Sequence, residues 1–189
     1  MQIIKTKFKG LFIYKRVSHS DSRGYFRELF LEKVIKKKFI FDYFSLSKKN
    51  VLRGIHLQLN KPQGKLITVL LGKIFDVVVD CRVNSNTFGK HFYIELSESK
   101  NTSLYIPEGF AHGFCSLSDK SILHYKCTNY RDKNSETGIL WNDKDLNIKW
   151  PNRKFVVSKK DKRNITFKEL ISTKKIQIIN KSLNLFLFF

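Results

Sequence analysis

The longest apolar stretch, residues 66–83 (LITVLLGKIFDVVVDCRV), consists of two runs rich in β-branched residues on either side of Gly72-Lys73. Such side chains fit the pleated surface of a sheet, and a glycine break between two runs predicts a hairpin. Strand-like runs recur at 90–96, 104–106, 113–117 and 121–128, and the opening 3–17 mixes Lys with Ile, Phe and Tyr in the same manner. Residues 20–24 (SDSRG) read as a turn and 45–50 as a polar loop. The best helix candidate is short, 30–38 (FLEKVIKKK). Short strands with turn signals at this spacing predict an all-β fold, a sandwich or barrel with one or two short helices.

No repeat or linker divides residues 1–165, which read as one domain. Beyond 165 the character changes: 172–189 (STKKIQIINKSLNLFLFF) is basic and then aromatic. Its apolar end is too short to span a membrane. It reads as an arm on the core or on a partner subunit, or as a frayed tail or weak surface anchor.

Composition narrows the class. Of the 189 residues, 42% are hydrophobic and 14% aromatic, enough for a packed core and against disorder. The net charge is +20, from 36 basic and 16 acidic residues. Lys outnumbers Arg and no nucleic-acid motif occurs, so the charge reads as a solvated surface that attracts anionic substrates. The N-terminus lacks the apolar core of a signal peptide, and no run is long enough for a membrane span. Cys81, Cys115 and Cys127 are widely spaced in apolar runs and read as buried thiols, which suits a reducing cytoplasm.

The candidate chemistry lies in two histidine motifs, 53–58 (RGIHLQ) and 107–114 (PEGFAHGF). Each sets one imidazole, His56 or His112, beside glycines in a strand-like run, a combination suited to proton transfer. A metal site needs three or more convergent ligands. Position 58 is Gln, and His19, His91 and His124 lack partners at ligand spacing, so no metal is expected. Arg53, three residues before His56, takes the opposite face of a regular strand but could flank the same pocket on a bent one. Asp76 sits among valines in IFDVVVD, on the face shared by Val78 and Asp80. It is either a barrel-mouth residue facing water or a buried carboxylate paired with a histidine.

Seven motifs occur in order: 23–28 (RGYFRE), 50–58 (NVLRGIHLQ), 63–66 (QGKL), 75–82 (FDVVVDCR), 105–114 (YIPEGFAHGF), 125–130 (YKCTNY) and 139–146 (ILWNDKDL). In these the chain resembles the dTDP-4-dehydrorhamnose 3,5-epimerase family over roughly residues 1–165. The resemblance implies a cupin-type jelly-roll β-barrel, a homodimer, no metal or other cofactor, and a nucleotide-linked 4-keto-6-deoxy sugar as substrate. It makes His56 the base, Asp161 its carboxylate partner and Tyr125 the opposing acid. Lys65 matches a lysine near the keto oxygen, and His112 with Asp76 a second pair. Arg23, Glu28, Arg53 and Glu136, with Lys65 and His112, match substrate-binding positions.

These residue types suit the reaction. A C4 ketone acidifies the C3 and C5 protons, a neutral imidazole can remove one, and a cation or hydrogen-bond donor must stabilise the enolate oxygen. A tyrosine, normally protonated at pH 7, can return a proton to the other face. Arginine forks suit a diphosphate. The chain also departs from the family. Phe41-Asp42-Tyr43 stands where the family usually has Gln-x-Asn, Arg131 where an aromatic is common, and the C-terminal tail has no recognised counterpart. The departures leave open an enzyme that inverts one centre or takes another nucleotide sugar. A catalytically silent cupin that binds sugar nucleotide is the remaining alternative.

Overall fold

A computed structural model describes residues 1–151, 154–173 and 176. Its strands are β1 (Gln2–Lys5), β2 (Phe12–Lys15), β3 (Ser18–Asp21), β4 (Gly24–Arg27), β5 (Phe41–Lys48), β6 (Val51–Gln58) and β7 (Lys65–Leu71). They continue with β8 (Lys73–Asp80), β9 (His91–Ser97), β10 (Thr102–Ile106), β11 (Phe110–Ser116), β12 (Lys120–Cys127), β13 (Glu136–Gly138) and β14 (Val156–Val157). A 3-10 turn at Asp161–Arg163 and one helix, α1 (Phe167–Ser172), complete the fold. Two sheets dominate. One has the order β1-β2-β10-β7-β12-β5 and the other β13-β6-β11-β8-β9, with β14 added parallel to β6. The β3–β4 hairpin stands apart from both.

The inner faces of the two sheets meet in the main core, which includes Ile67, Val69, Val78, Leu104, Phe114 and Leu123. Burying each such side chain contributes roughly 1.5–3 kcal/mol. The outer face of the second sheet is covered as well. Ile55, Leu57 and Val79 pack there against Leu146, Phe167 and Leu170. This explains why β8 is apolar on both faces instead of alternating. Helix α1 is held by a capping box, in which Thr166 Oγ1 accepts from the Glu169 N–H and the Glu169 carboxylate accepts from the Thr166 N–H. No helix among the described residues is long and apolar enough to cross a membrane. Cys81, Cys115 and Cys127 are all buried.

Three local expectations fail. β7 and β8 do not form a hairpin, because they lie in different sheets. Gly72 carries the chain across instead, at φ +77°, and a Cβ there would lie 2.3 Å from the Lys120 carbonyl oxygen. Residues 30–38 form a single turn, closed by Ile35 N–H donating to the Leu31 carbonyl, with Ile35 as the buried anchor. Three successive lysines after it offer no second apolar turn to bury. Residues 45–48 belong to strand β5 rather than to a loop. Ser45 and Ser47 alternate inward beside Phe41 and Tyr43, so the polar composition hid a period of two. The C-terminal arm expected at 172–189 lies mostly outside the described residues.

Candidate active site

A cavity of about 680 Å3 opens between the sheets at the end where β7 begins. One wall comes from β6 and β11, with Arg53, His56, His112 and Phe114. The facing wall comes from β5, β7 and β12, with Phe41, Tyr43, Lys65 and Tyr125. Glu136, Arg131 and Lys160 stand at the rim.

His56 is aimed by a bulge. Along β6 and β11, His56 pairs with His112, but Arg53 pairs with Phe114, so β6 holds one extra residue between them. That insertion resets the alternation and puts Arg53 and His56 on the same face. Gly54 makes it possible. Its φ is +126°, and a Cβ there would sit 2.5 Å from the Gly113 Cα, so the two motif glycines are in backbone contact. The Gly54 N–H donates to Asp161 Oδ2 at 3.3 Å.

Asp161 reaches His56 from a long way along the chain. β14 runs beside Val51 and Leu52, and the turn after it delivers Asp161 Oδ1 to 2.7 Å from His56 Nε2. Burial pushes the Asp161 carboxyl pKa up. Hydrogen bonds from His56, the Gly54 N–H and Ser158 outweigh it, so the net direction is down and the group is a carboxylate. A carboxylate only accepts, so Nε2 carries the proton and Nδ1 is left basic.

The second pair is deeper. His112 Nε2 lies 2.8 Å from Asp76 Oδ2, with Asp76 fully buried and its Oδ1 without a hydrogen-bond partner. Burial raises the Asp76 pKa, against the pull of His112 and Lys65. The barrel-mouth reading of Asp76 is thereby excluded. Asp80, on the same strand face, is also buried but is satisfied by an Arg82 fork, Ser85 and Thr87. Its role is structural.

Opposite, burial lowers the Lys65 pKa and raises that of Tyr125 well above its usual value. The Ser45 side chain lies on the same cavity wall and tempers this rise. At the rim, Arg131 grips Glu136 with a two-point fork at 2.6 and 2.9 Å, and Lys160 adds a contact at 3.0 Å. The Arg131 guanidinium, aided by Lys160, holds the Glu136 carboxyl down at about 2. Among the described residues no three His, Cys, Asp or Glu side chains cluster to hold a metal ion.

The model of the family described as dTDP-4-dehydrorhamnose 3,5-epimerase matches residues 5–169. The chain belongs to that family. The Shigella flexneri dTDP-4-dehydrorhamnose 3,5-epimerase is 45% identical over 168 residues, covering 85% of this chain and 93% of its own. The crystal structure of a Legionella pneumophila relative, a dTDP-6-deoxy-D-glucose-3,5-epimerase in complex with dTDP-4-keto-L-rhamnose, superposes with a TM-score of 0.85 at 40% identity. That match covers 88% of this chain and 93% of the other. A 3'-monoepimerase from Streptomyces bikiniensis, solved with dTDP-quinovose, gives 0.83 at 27% identity over 94% and 98%. The cupin-type architecture therefore holds across relatives named for different stereochemical outcomes.

Of the residues marked by the family resemblance, the cavity gathers Arg53, His56, Lys65, His112, Tyr125, Glu136 and Asp161 in its lining, with Asp76 behind His112. It does not gather Arg23 and Glu28. Arg23 sits at the tip of the β3–β4 hairpin, its side chain 88% exposed and paired with Asp21. Glu28 follows β4 and is also exposed. Arg27 anchors this hairpin on the Glu98 carbonyl, beside Gly72 and so at the far end of β7 from Lys65.

Other motif residues brace the site. Glu108 accepts from Thr128, whose hydroxyl accepts the Gly64 N–H and so fixes the start of β7 next to Lys65. Gln58 and Gln63 tie residues 58–63 to the 129–132 loop through the Tyr130 carbonyl, the Asp132 N–H and the Asn129 carbonyl. Ser45, Gln63, Ser158 and Lys160 line the cavity without having been singled out from the sequence. Only Gln63 and Lys160 carried a signal, as neighbours of Lys65 and Asp161.

Proposed function

We propose that this protein is the isomerase that inverts C3 and C5 of dTDP-4-dehydro-6-deoxy-D-glucose, yielding dTDP-4-dehydro-L-rhamnose for surface polysaccharide. The observation that carries the reading is the placement of His56 with its carboxylate on one wall of the cavity and Tyr125 on the other. Inversion needs a base and an acid on opposite faces of one carbon.

In the proposed course, His56 Nδ1 takes the proton from C3 while the C–H electrons move into the C4 carbonyl. The enolate oxygen is met by Lys65 and by the His112–Asp76 pair. The Tyr125 hydroxyl then delivers its proton to the opposite face of C3 and is reprotonated from solvent, to which His56 gives up the proton it took. The same cycle at C5 completes the double inversion. Arg53 and Lys160 are suited to the diphosphate, and the net charge of +20 draws the anionic substrate in.

We further propose a homodimer. Arg23 and Glu28 are too remote to serve the cavity of their own chain, and a partner's β3–β4 hairpin could bring them there. Tyr25 and Phe26 on that hairpin, with Phe44 and Leu46 on the outer face of β5, leave apolar surface exposed that a second copy would cover. The proposed compartment is the cytoplasm, a reading that rests on the cysteine usage.

Proton NMR of the purified protein with dTDP-4-keto-6-deoxyglucose in heavy water tests the reading. Loss of signal at both C3 and C5 is the expected result. Exchange at C3 alone would replace the double inversion with a single one, and no exchange by folded protein would refute the activity on this substrate.

A further inference from the structure

Tyr125 lies at one end of a ladder of rings. Tyr43 and Tyr125 are directly opposed in the β5–β12 register, and their rings are 4.6 Å apart at an interplanar angle of 10°. Phe41, two residues along β5, follows at 5.4 Å from Tyr43, and Tyr130 at 6.1 Å from Phe41. The ladder runs from buried Tyr125 to exposed Tyr130 at the surface.

The core does not demand a ring at position 43. β5 is the edge strand of its sheet, and Tyr43 is 37% exposed. Leu or Val would satisfy an edge position beside a cavity. A flat ring stacked in parallel supplies something else, which is control of the plane of its neighbour. The remaining surroundings of Tyr125 act the same way. His112 meets the Tyr125 ring edge-on at 6.3 Å.

We propose that Tyr43 is a positioning residue for the acid: by stacking on Tyr125 it fixes the ring plane, so that the hydroxyl returns its proton to one face of the enolate before the base can return it to the other. The inference rests on the epimerase reading and deepens it. It also gives a role to Tyr43 in the Phe41-Asp42-Tyr43 run, which departs from the family's usual Gln-x-Asn.

The consequence is a change in partition. Removal of the C3 proton by His56 does not involve Tyr43. Once the enolate forms, two protonations compete. Tyr125 gives inverted product, whereas return from His56, after exchange with solvent, gives deuterated but uninverted substrate. Loosening Tyr125 slows only the first.

The experiment compares wild type, Tyr43→Phe, Tyr43→Leu and Tyr43→Ala with dTDP-4-keto-6-deoxyglucose in heavy water, following kcat, KM and the deuterium in recovered substrate relative to product. Ala and Leu should each lower kcat about tenfold, the scale of one lost aromatic contact, with KM changed less than about threefold. Deuterium in recovered substrate should rise by about the same factor. Phe should restore most of the loss, because the ring and not the hydroxyl does the positioning. A Leu variant that behaves as wild type would reduce Tyr43 to a space-filler and overturn the proposal. So would a fall in kcat without a change in partition, or a Phe variant as impaired as Ala. A wild type that neither exchanges nor turns over the substrate refutes the epimerase reading itself, a result distinct from all of these. Leu keeps the apolar volume if Ala fails to fold.

Discussion

Replacing Asp161 by Asn puts the base to a quantitative test. The change is nearly isosteric and exchanges the carboxylate, 2.7 Å from His56 Nε2, for a neutral amide. The carboxylate has two effects on His56. It holds the proton on Nε2, leaving Nδ1 basic, and it offsets the positive charge that the ring gains as it takes the C3 proton. Hydrogen bonds to charged groups contribute about 1.5–3 kcal/mol, and about 1.36 kcal/mol is a factor of ten in rate. The kcat of Asp161→Asn should therefore fall roughly 10- to 150-fold. Coulomb's law sets a ceiling. At 2.7 Å and an effective dielectric constant of about 20 the attraction is ~6 kcal/mol, and the His56 side chain, 34% exposed, is screened below that. The fold should survive, because Asn can still accept the Gly54 N–H and the Asp161 N–H still reaches Ser158. Initial rates of deuterium entry at saturating substrate, with a circular-dichroism melt as control, give both numbers. An Asn variant that keeps more than half of wild-type kcat with an unchanged melt would refute the assignment of Asp161 as the partner of the base.

Other consequences follow from the same geometry. Burial lowers the Lys65 pKa below 10.5 and raises that of Tyr125 well above 10, so Lys65 loses its proton first as pH rises. The alkaline limb of kcat/KM should then fall below pH 10.5, and Tyr125→Phe should cut kcat about 100-fold without moving that limb; a limb that vanishes in the Phe variant would contradict this order. The two aspartates should act on stability with opposite sign. Asp161 has a folded pKa below its unfolded value, so its contribution is present above about pH 3.8 and is lost as pH falls through the folded pKa. Asp76 has a folded pKa above its unfolded value, so stability declines as pH rises through that window, and Asp76→Asn should raise the melting temperature at pH 7 relative to pH 4 while lowering activity; thermal melts across pH 3–8 check both signs. Gly54→Ala drives a Cβ to 2.5 Å from the Gly113 Cα at φ +126°, and should cost more than about 2 kcal/mol in urea unfolding and remove activity. A folded, active Gly54→Ala enzyme would show that the bulge is not needed to aim His56.

What the sequence made legible was chemistry carried by residue type at short range. His56 and His112 beside glycines, and Asp76 out of place among valines, already pointed to proton transfer, because a buried carboxylate is costly without a partner. What it hid was geometry created by the third dimension. A strand with regular alternation separates Arg53 from His56, and only the extra residue opposite Gly113 brings them to one face. Asp161 lies 105 residues from His56, and nothing in the spacing predicts that a two-residue parallel strand will deliver it. Gly72 misled for a related reason. A positive-φ glycine between two β-branched runs serves a hairpin and a crossing between sheets equally well, and the choice is made by the facing sheet, not by the turn. These three cases share a cause. The cavity exists because two sheets face each other, so each wall must place its groups by local means: a bulge for His56, a buried carboxylate for His112, a cross-strand ring for Tyr125. In this molecule the bulge in β6 falls at the residue proposed as the base, whereas Tyr125 keeps regular cross-strand register with Tyr43. The motif glycines are thus as much a part of the acid–base machinery as the side chains they aim.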